Sequence, residues 1–244
     1  MSKGVETSLS KEDAEKLSKN FENEKPQEML RWALATFHPR LALSSSFSAE
    51  DVALIDMLSK INPKFRVFTL DTGRLDQETY NLIDKMRMRY NMEIEIYYPN
   101  TASVEKMVTE KGMNLFYESL PHRRLCCNVR KVEPLMRALE GLDAWITGLR
   151  REQSITRTEL KKIEIDEAHG NMVKINPLAD WSNEQVWDYV KKNNVPYNTL
   201  YEKGYTSIGC EPCTRPIKPG EDTRAGRWWW ESPDKKECGL HVHK

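Results

Sequence analysis

The sequence predicts an α/β fold with a mainly parallel sheet and helices on both faces. From residue 41 onward, short apolar runs alternate with segments of 3.6-residue apolar periodicity. That βαβα order is the signature of a parallel sheet built by helical crossovers. The chain of 244 residues, 39% hydrophobic and 30% charged, is long enough for one large domain or two small ones. In such sheets ligands sit beyond the carboxyl ends of the strands, near a topological switch point.

The elements follow in order. Ser10 caps a helix start with a thin apolar stripe of Leu9, Ala14 and Leu17. Residues 26–37 read as a second helix, opened by Pro26 and carrying Met29, Leu30, Ala33, Leu34 and Phe37 on one face. Residues 41–43 read as a short buried strand, 49–60 as a helix, 65–70 as a strand and 75–90 as a helix. Residues 92–98 alternate as a third strand, 128–139 are helical, and 144–147 form a fourth strand. Residues 163–176 look like a hairpin or a pair of edge strands, and a capped helix runs from about 181 to 193. The expected organisation is N-terminal packing helices over 1–40, an α/β domain over 41–231 and a mobile tail over 232–244.

Bulk properties exclude several classes. Lys plus Arg and Asp plus Glu both number 37, so no global field points to nucleic acid or a membrane. No apolar run reaches bilayer-spanning length. Residues 1–20 are polar and charged and do not read as a secretory signal, so a cytoplasmic protein is expected. In that setting five cysteines favour metal or catalytic use over disulfides.

Three loops leave strand ends. In the first, residues 44–51, hydroxyl side chains opening a helix suit an anion, and plain N-capping by Ser48 is the alternative. It lacks the GK[ST] of a Walker A loop. The second, residues 70–74, offers Asp71 and Thr72 to ribose or base edges, or is an ordinary turn. The third, residues 148–154 with Arg157, places paired arginines where a phosphate or sulfate would sit.

The cysteines come as Cys126–Cys127, ahead of the helical stretch, and Cys210-Glu-Pro-Cys213. Two such sets are the composition of a four-thiolate metal site, with a redox CxxC or unliganded core thiols as alternatives. Adjacent cysteines are awkward for tetrahedral zinc, whereas an iron–sulfur cluster offers separate irons. Lys131 lies four residues after Cys127, on its helix face. Three consecutive tryptophans, 228–230, cannot all face one core. Near the chain end Cys238 follows Lys235 and Lys236, neighbours that favour the reactive thiolate.

With these residues in hand, the chain over about 41–241 resembles the assimilatory sulfonucleotide reductases, specifically the iron–sulfur adenylyl-sulfate (APS) reductases. The segments that carry the resemblance are SSFSAED (45–51), LDTGR (70–74), CC…RK (126–131), GLRREQS (148–154), IGCEPCTRP (208–216), GRWWWE (226–231) and KKECGLH (235–241). The resemblance implies an adenine-nucleotide α-hydrolase-like fold related to the PP-loop pyrophosphatases. It implies that Ser45, Ser46, Phe47, Ser48 and Glu50 face the phosphosulfate, and that Leu70, Asp71, Thr72 and Gly148 line the adenosine site. Arg130, Lys131, Arg157, Arg224 and Arg227 would surround phosphate and sulfate. Cys126, Cys127, Cys210 and Cys213 would hold a [4Fe–4S] cluster, and Cys238 would be the nucleophile with His241 beside it in the tail. The loop through Arg157 reads one residue shorter than in some relatives.

The implied chemistry is attack by the Cys238 thiolate on sulfur, loss of AMP, and release of sulfite from an S-sulfocysteine by thioredoxin or glutaredoxin. Lys131 and the arginines would stabilise the charge left on phosphate. Two other readings stand beside it: the same reaction on 3′-phospho-APS (PAPS) or on both nucleotides, and a non-catalytic nucleotide-binding iron–sulfur sensor. An ATP-dependent adenylating enzyme is disfavoured, because the loop lacks the glycines of SGGxDS. Family members are often oligomeric, so a homo-oligomer is expected.

Overall fold

A computed structural model describes residues 9–154 and 157–232. The Cys238 and His241 positions, and with them the tail, lie outside the described residues. Two helices come first. Lys11–Asn20 (α1) is capped by Ser10, whose Oγ accepts the Asp13 N–H at 3.1 Å. Pro26–Phe37 (α2) opens on a proline that needs no N–H donor there.

The α/β unit then alternates Leu41–Ser44 (β1), Ala49–Ile61 (α3), Arg66–Leu70 (β2), Gln77–Tyr90 (α4) and Glu95–Tyr97 (β3). After Thr101–Lys111 (α5) come Leu120–Cys127 (α6), a π-helical turn over Asn128–Val132, and Glu133–Leu139 (α7). Ala144–Ile146 (β4), Ile163–Asp166 (β5), Met172–Ile175 (β6) and Asn183–Lys192 (α8) complete the unit. The sheet order is β3-β2-β1-β4-β6-β5, parallel except for β5 against β6. The chain leaves β1 toward β2 and β3, then returns to β4 on the other side of β1. That reversal is the switch point, and it opens a crevice at the ends of β1, β2 and β4.

Period-2 alternation sorts the strand residues between two faces. Leu41, Leu43, Val67, Ala144 and Ile146 enter the large core with Met29 and Leu30 of α2 and Leu54 and Ile55 of α3. Ala42, Phe68 and Trp145 point the other way, against Leu135, Ala138 and Leu139 of α7. Ala14, Met29, Ala33 and Phe37 of the N-terminal helices belong to the large core, so those helices pack on the sheet unit.

Helix α5 has no counterpart in the sequence reading, and three further elements differ from expectation. β3 covers only Glu95–Tyr97 rather than 92–98, because it is an edge strand with little buried surface to extend it. Helix α4 begins at Gln77 after its cap Asp76, two residues later than the periodicity suggests. The cysteine pair does precede the helical stretch over 128–139, but it also ends a helix of its own. It forms the last turn of α6, which Ser119 caps by accepting the His122 N–H at 3.3 Å.

Candidate functional site

The crevice holds a cavity of about 550 Å³. Its floor is the loop between β1 and α3. Ser48 and Asp51 form a reciprocal capping box, and Asp51 Oδ2 also takes the Ser46 N–H at 2.7 Å and the Ser46 hydroxyl at 2.8 Å. The Phe47 N–H donates to Ser45 Oγ at 3.1 Å, and the Ala49 N–H donates to the Tyr201 hydroxyl at 3.1 Å. These loop donors are therefore satisfied from within the protein. Asp51 serves as the anion of its own loop. Burial pushes its carboxyl up to about 6, against the pull of the Ser46 hydrogen bonds.

Ser45, Ser46, Ser48 and Glu50 line the cavity. Phe47 does not: its side chain is buried, and its backbone is held at φ 57°, a left-handed geometry that strains a residue with a Cβ. Gly148 is needed for close approach. A Cβ there would fall inside contact of Asp51 Oδ1 and 3.0 Å from Glu50 Cβ. The paired arginines after β4 are a correction. Arg150 is buried and donates through Nε to Glu50 at 2.8 Å, and Arg151 donates through Nη2 to Glu22 at 3.0 Å. Arg150 still lines the cavity, but its charge and that of Arg151 are paired with carboxylates of the protein; Arg157, Arg224 and Arg227 are the other arginines of the lining.

The end of β2 carries a second junction. Leu70 and Thr72 line the cavity, while Asp71 lies outside it and accepts the Gly73 N–H at 2.7 Å and the Tyr80 hydroxyl at 2.9 Å. Gly73 sits at φ 70°, where glycine is the unstrained choice. Thr72 Oγ1 accepts the Arg74 N–H at 3.2 Å, so its own proton is available to Cys210 Sγ, also at 3.2 Å. The Glu211 N–H donates to the Arg74 carbonyl at 2.9 Å and fastens the CxxC loop beside β2.

Behind this junction Cys126, Cys127, Cys210 and Cys213 line one chamber with Arg74, Arg123, Arg130, Lys131 and Arg227. Lys131, Arg227 and Trp228 line both spaces and form the wall between them. Arg130 faces the thiol chamber only and donates to the Thr72 carbonyl at 2.7 Å. Burial pushes Cys213 up to about 12 and also raises Cys126. Burial opposes the Cys210 thiolate as well, yet Lys131, the Thr72 hydrogen bond, Arg227 and Arg130 together hold it below the usual thiol range.

The sequence pattern of the phosphoadenosine phosphosulfate reductase domain matches residues 40–216. The chain belongs to the phosphoadenosine phosphosulfate reductase family. An adenosine 5′-phosphosulfate reductase of Burkholderia cepacia is 54% identical over 205 residues, 84% of this chain and 82% of that one. The crystal structure of phosphoadenylyl-sulfate (PAPS) reductase from Candida auris, a phosphate complex, has a TM-score of 0.75 at 34% identity and spans 86% of this chain and 100% of that one. Candida glabrata FMN adenylyltransferase, with FAD and inorganic pyrophosphate, has a TM-score of 0.57 at 15% identity over 92% of this chain and 76% of that one, a likeness of fold alone. The fold is the adenine-nucleotide α-hydrolase-like one.

For a phosphoadenosine phosphosulfate reductase family chain, the thiol chamber can be tested for an iron–sulfur cluster on its own atoms. Among the described residues, no group of three or more His, Cys, Asp or Glu is arranged to hold a metal ion. A cluster spreads its thiolates over separate irons, and soft thiolates suit it. Arg130 Nε, Arg227 Nε and Trp228 Nε1 are buried with no hydrogen-bond partner, and all three residues line the chamber. Three orphaned N–H donors around four thiols are what an anionic, sulfur-rich group would satisfy. The residues fit.

Sequence reasoning missed Asp51 and Tyr201 as individual site residues, whereas Trp228, one of the three tryptophans that could not all face one core, does line both spaces. Asp51 is visible in retrospect as the third residue after the Ser48 cap. Tyr201 has no local signal, since it reaches Ala49 across 152 residues.

Proposed function

We propose that the protein is an adenosine 5′-phosphosulfate reductase of sulfate assimilation, converting APS to sulfite and AMP at the expense of a dithiol. The observation that carries this reading is the shared wall: Lys131, Arg227 and Trp228 border both a nucleotide-sized cavity and a four-cysteine chamber. The 54% identity to an APS reductase supports APS over other nucleotides.

In this reading Ser45, Ser46, Ser48, Leu70, Thr72 and Gly148 hold the nucleotide, and Arg157, Arg224, Arg227 and Lys131 neutralise phosphate and sulfate. Phe47, Glu50, Asp71 and Arg130 act by holding the loops that bear those groups. The Cys238 thiolate attacks the sulfate sulfur, an S–S bond forms, the S–O bond to phosphate breaks, and AMP leaves with the electron pair. His241, in the same tail segment, is the proposed companion of that thiol. A thioredoxin- or glutaredoxin-type dithiol then attacks Cys238 sulfur and expels sulfite. Its second thiol closes the reductant's disulfide and regenerates Cys238, so the dithiol supplies both electrons.

Cys126, Cys127, Cys210 and Cys213 would hold a [4Fe–4S] cluster, which when bound supplies a fixed anionic centre with an electrostatic and structural role. Lys131, on the shared wall, links that side to the nucleotide cavity. The protein is read as cytoplasmic and homo-oligomeric. Among the described residues no helix is long and apolar enough to cross a membrane.

Comparing kcat/KM for APS and PAPS tests the substrate. A preference of about a hundredfold or more for APS, ~2.7 kcal/mol of differential transition-state binding, is expected. Equal or greater efficiency with PAPS refutes the assignment.

A further inference from the structure

Glu231 stands at the end of the GRWWWE segment, and nothing in the chemistry above uses it. Its carboxylate is nevertheless buried and paired in two parallel bonds with Arg123: Nε to Oε1 at 2.9 Å and Nη2 to Oε2 at 2.8 Å. Taking two charges out of water this completely is costly unless the geometry is bidentate, as it is here. The Arg123 guanidinium also lies 4.5 Å from the centre of the Trp228 ring, stacked on the wall residue of both chambers.

Arg123 occupies α6, one turn before Cys126 and Cys127. On the other side, the Trp228 N–H donates to the Cys213 carbonyl at 3.1 Å, and the Glu231 N–H donates to the Trp228 carbonyl at 2.8 Å. Residues 228–231 are thus tied to both cysteine-bearing segments, by a backbone bond to the CxxC loop and by an ion pair to the helix of the adjacent pair. Cys238 follows only seven residues after Glu231. A tether of that length reaches about 25 Å at full extension. The position of Glu231 therefore bounds where the Cys238 thiol can reach.

We infer that the Arg123–Glu231 pair is a positioning pair that anchors the root of the C-terminal segment and aims Cys238 at the bound sulfonucleotide. The inference rests on the reading of Cys238 as nucleophile. It assigns Glu231 neither a substrate contact nor a cluster contact. Releasing the root should leave nucleotide binding intact and slow only the covalent step.

The test is single-turnover formation of the Cys238 S-sulfo adduct in iron-loaded protein with APS and no reductant, alongside AMP affinity and iron content. Glu231→Gln is expected to keep wild-type AMP affinity and to form the adduct about ten- to a hundredfold more slowly, the scale of a misplaced reacting group. A folded, iron-replete E231Q that forms adduct at the wild-type rate overturns the inference, whatever its thermal stability. Should E231Q lose its iron, Glu231→Asp, which keeps the charge but is too short to hold both Arg123 bonds in place, decides instead. A slowed adduct at unchanged AMP affinity supports the anchor, and a wild-type rate rejects it. If the wild-type protein itself forms no adduct, it is the nucleophile assignment that fails.

Discussion

Replacing Gly148 by alanine probes the loop that shapes the cavity. The added Cβ would sit within contact of Asp51 Oδ1, 3.0 Å from Glu50 Cβ and 3.4 Å from Asp51 Cγ. Neither acid can yield freely. Glu50 is bound to Arg150, and Asp51 Oδ2 carries donors from Ser46 and Ser48. Overpacking of this kind costs about 1–3 kcal/mol. In a chain of this size that is roughly 2–12 °C of melting temperature. The displaced carboxylate would also loosen the Ser46 and Ser48 contacts. Losing the net worth of about one hydrogen bond to a charged group, ~1.5 kcal/mol, weakens AMP binding roughly tenfold. Thermal melts and an equilibrium titration with AMP measure both effects. A G148A protein that melts within about 1 °C of wild type and binds AMP equally well would refute the close-approach argument.

Other outcomes follow from the same geometry. Asp51 is raised by burial to about 6 from 3.8. The penalty for ionising it in the folded state is complete above pH 6 and is relieved as the folded chain takes up a proton below it. The wild type should gain stability relative to Asp51→Asn by ~1.4 kcal/mol between about pH 8 and about pH 5 in paired urea titrations. A pH-independent difference would remove Asp51 from the buried, ionisable role. Cys213→Ser should lose bound iron and labile sulfide on anaerobic purification, and full retention of both would exclude Cys213 as a ligand.

The parts of the fold that are legible in the sequence are those whose signals are local. β1, β2 and β4 announce themselves as apolar runs, α2 by its proline start, and α3 and α8 by capping boxes at Ser48 and Ser182. Helix α6 is obscured because Leu120–Cys127 carries His122, Arg123 and Arg124 through its middle and shows no apolar stripe, so only its Ser119 cap and Pro121 betray it. The thiol set is legible from residue type and spacing alone. The arginines are not, because a guanidinium looks the same whether it awaits an anion or already has one. Arg150 finds Glu50 across 100 residues and Arg151 finds Glu22 across 129, pairings that only the folded sheet brings together. The same holds for Arg123, whose partner Glu231 is 108 residues away.

The account turns on a covalent step at Cys238. Intact-mass analysis of anaerobically prepared, iron-loaded protein mixed with APS and no reductant tests it most directly, with peptide mapping to locate any adduct. The account predicts one added SO3 group, mapped to Cys238, absent from Cys238→Ser and released as sulfite by a reduced dithiol protein. An unmodified wild-type chain, or a C238S protein that still turns APS over, would contradict it.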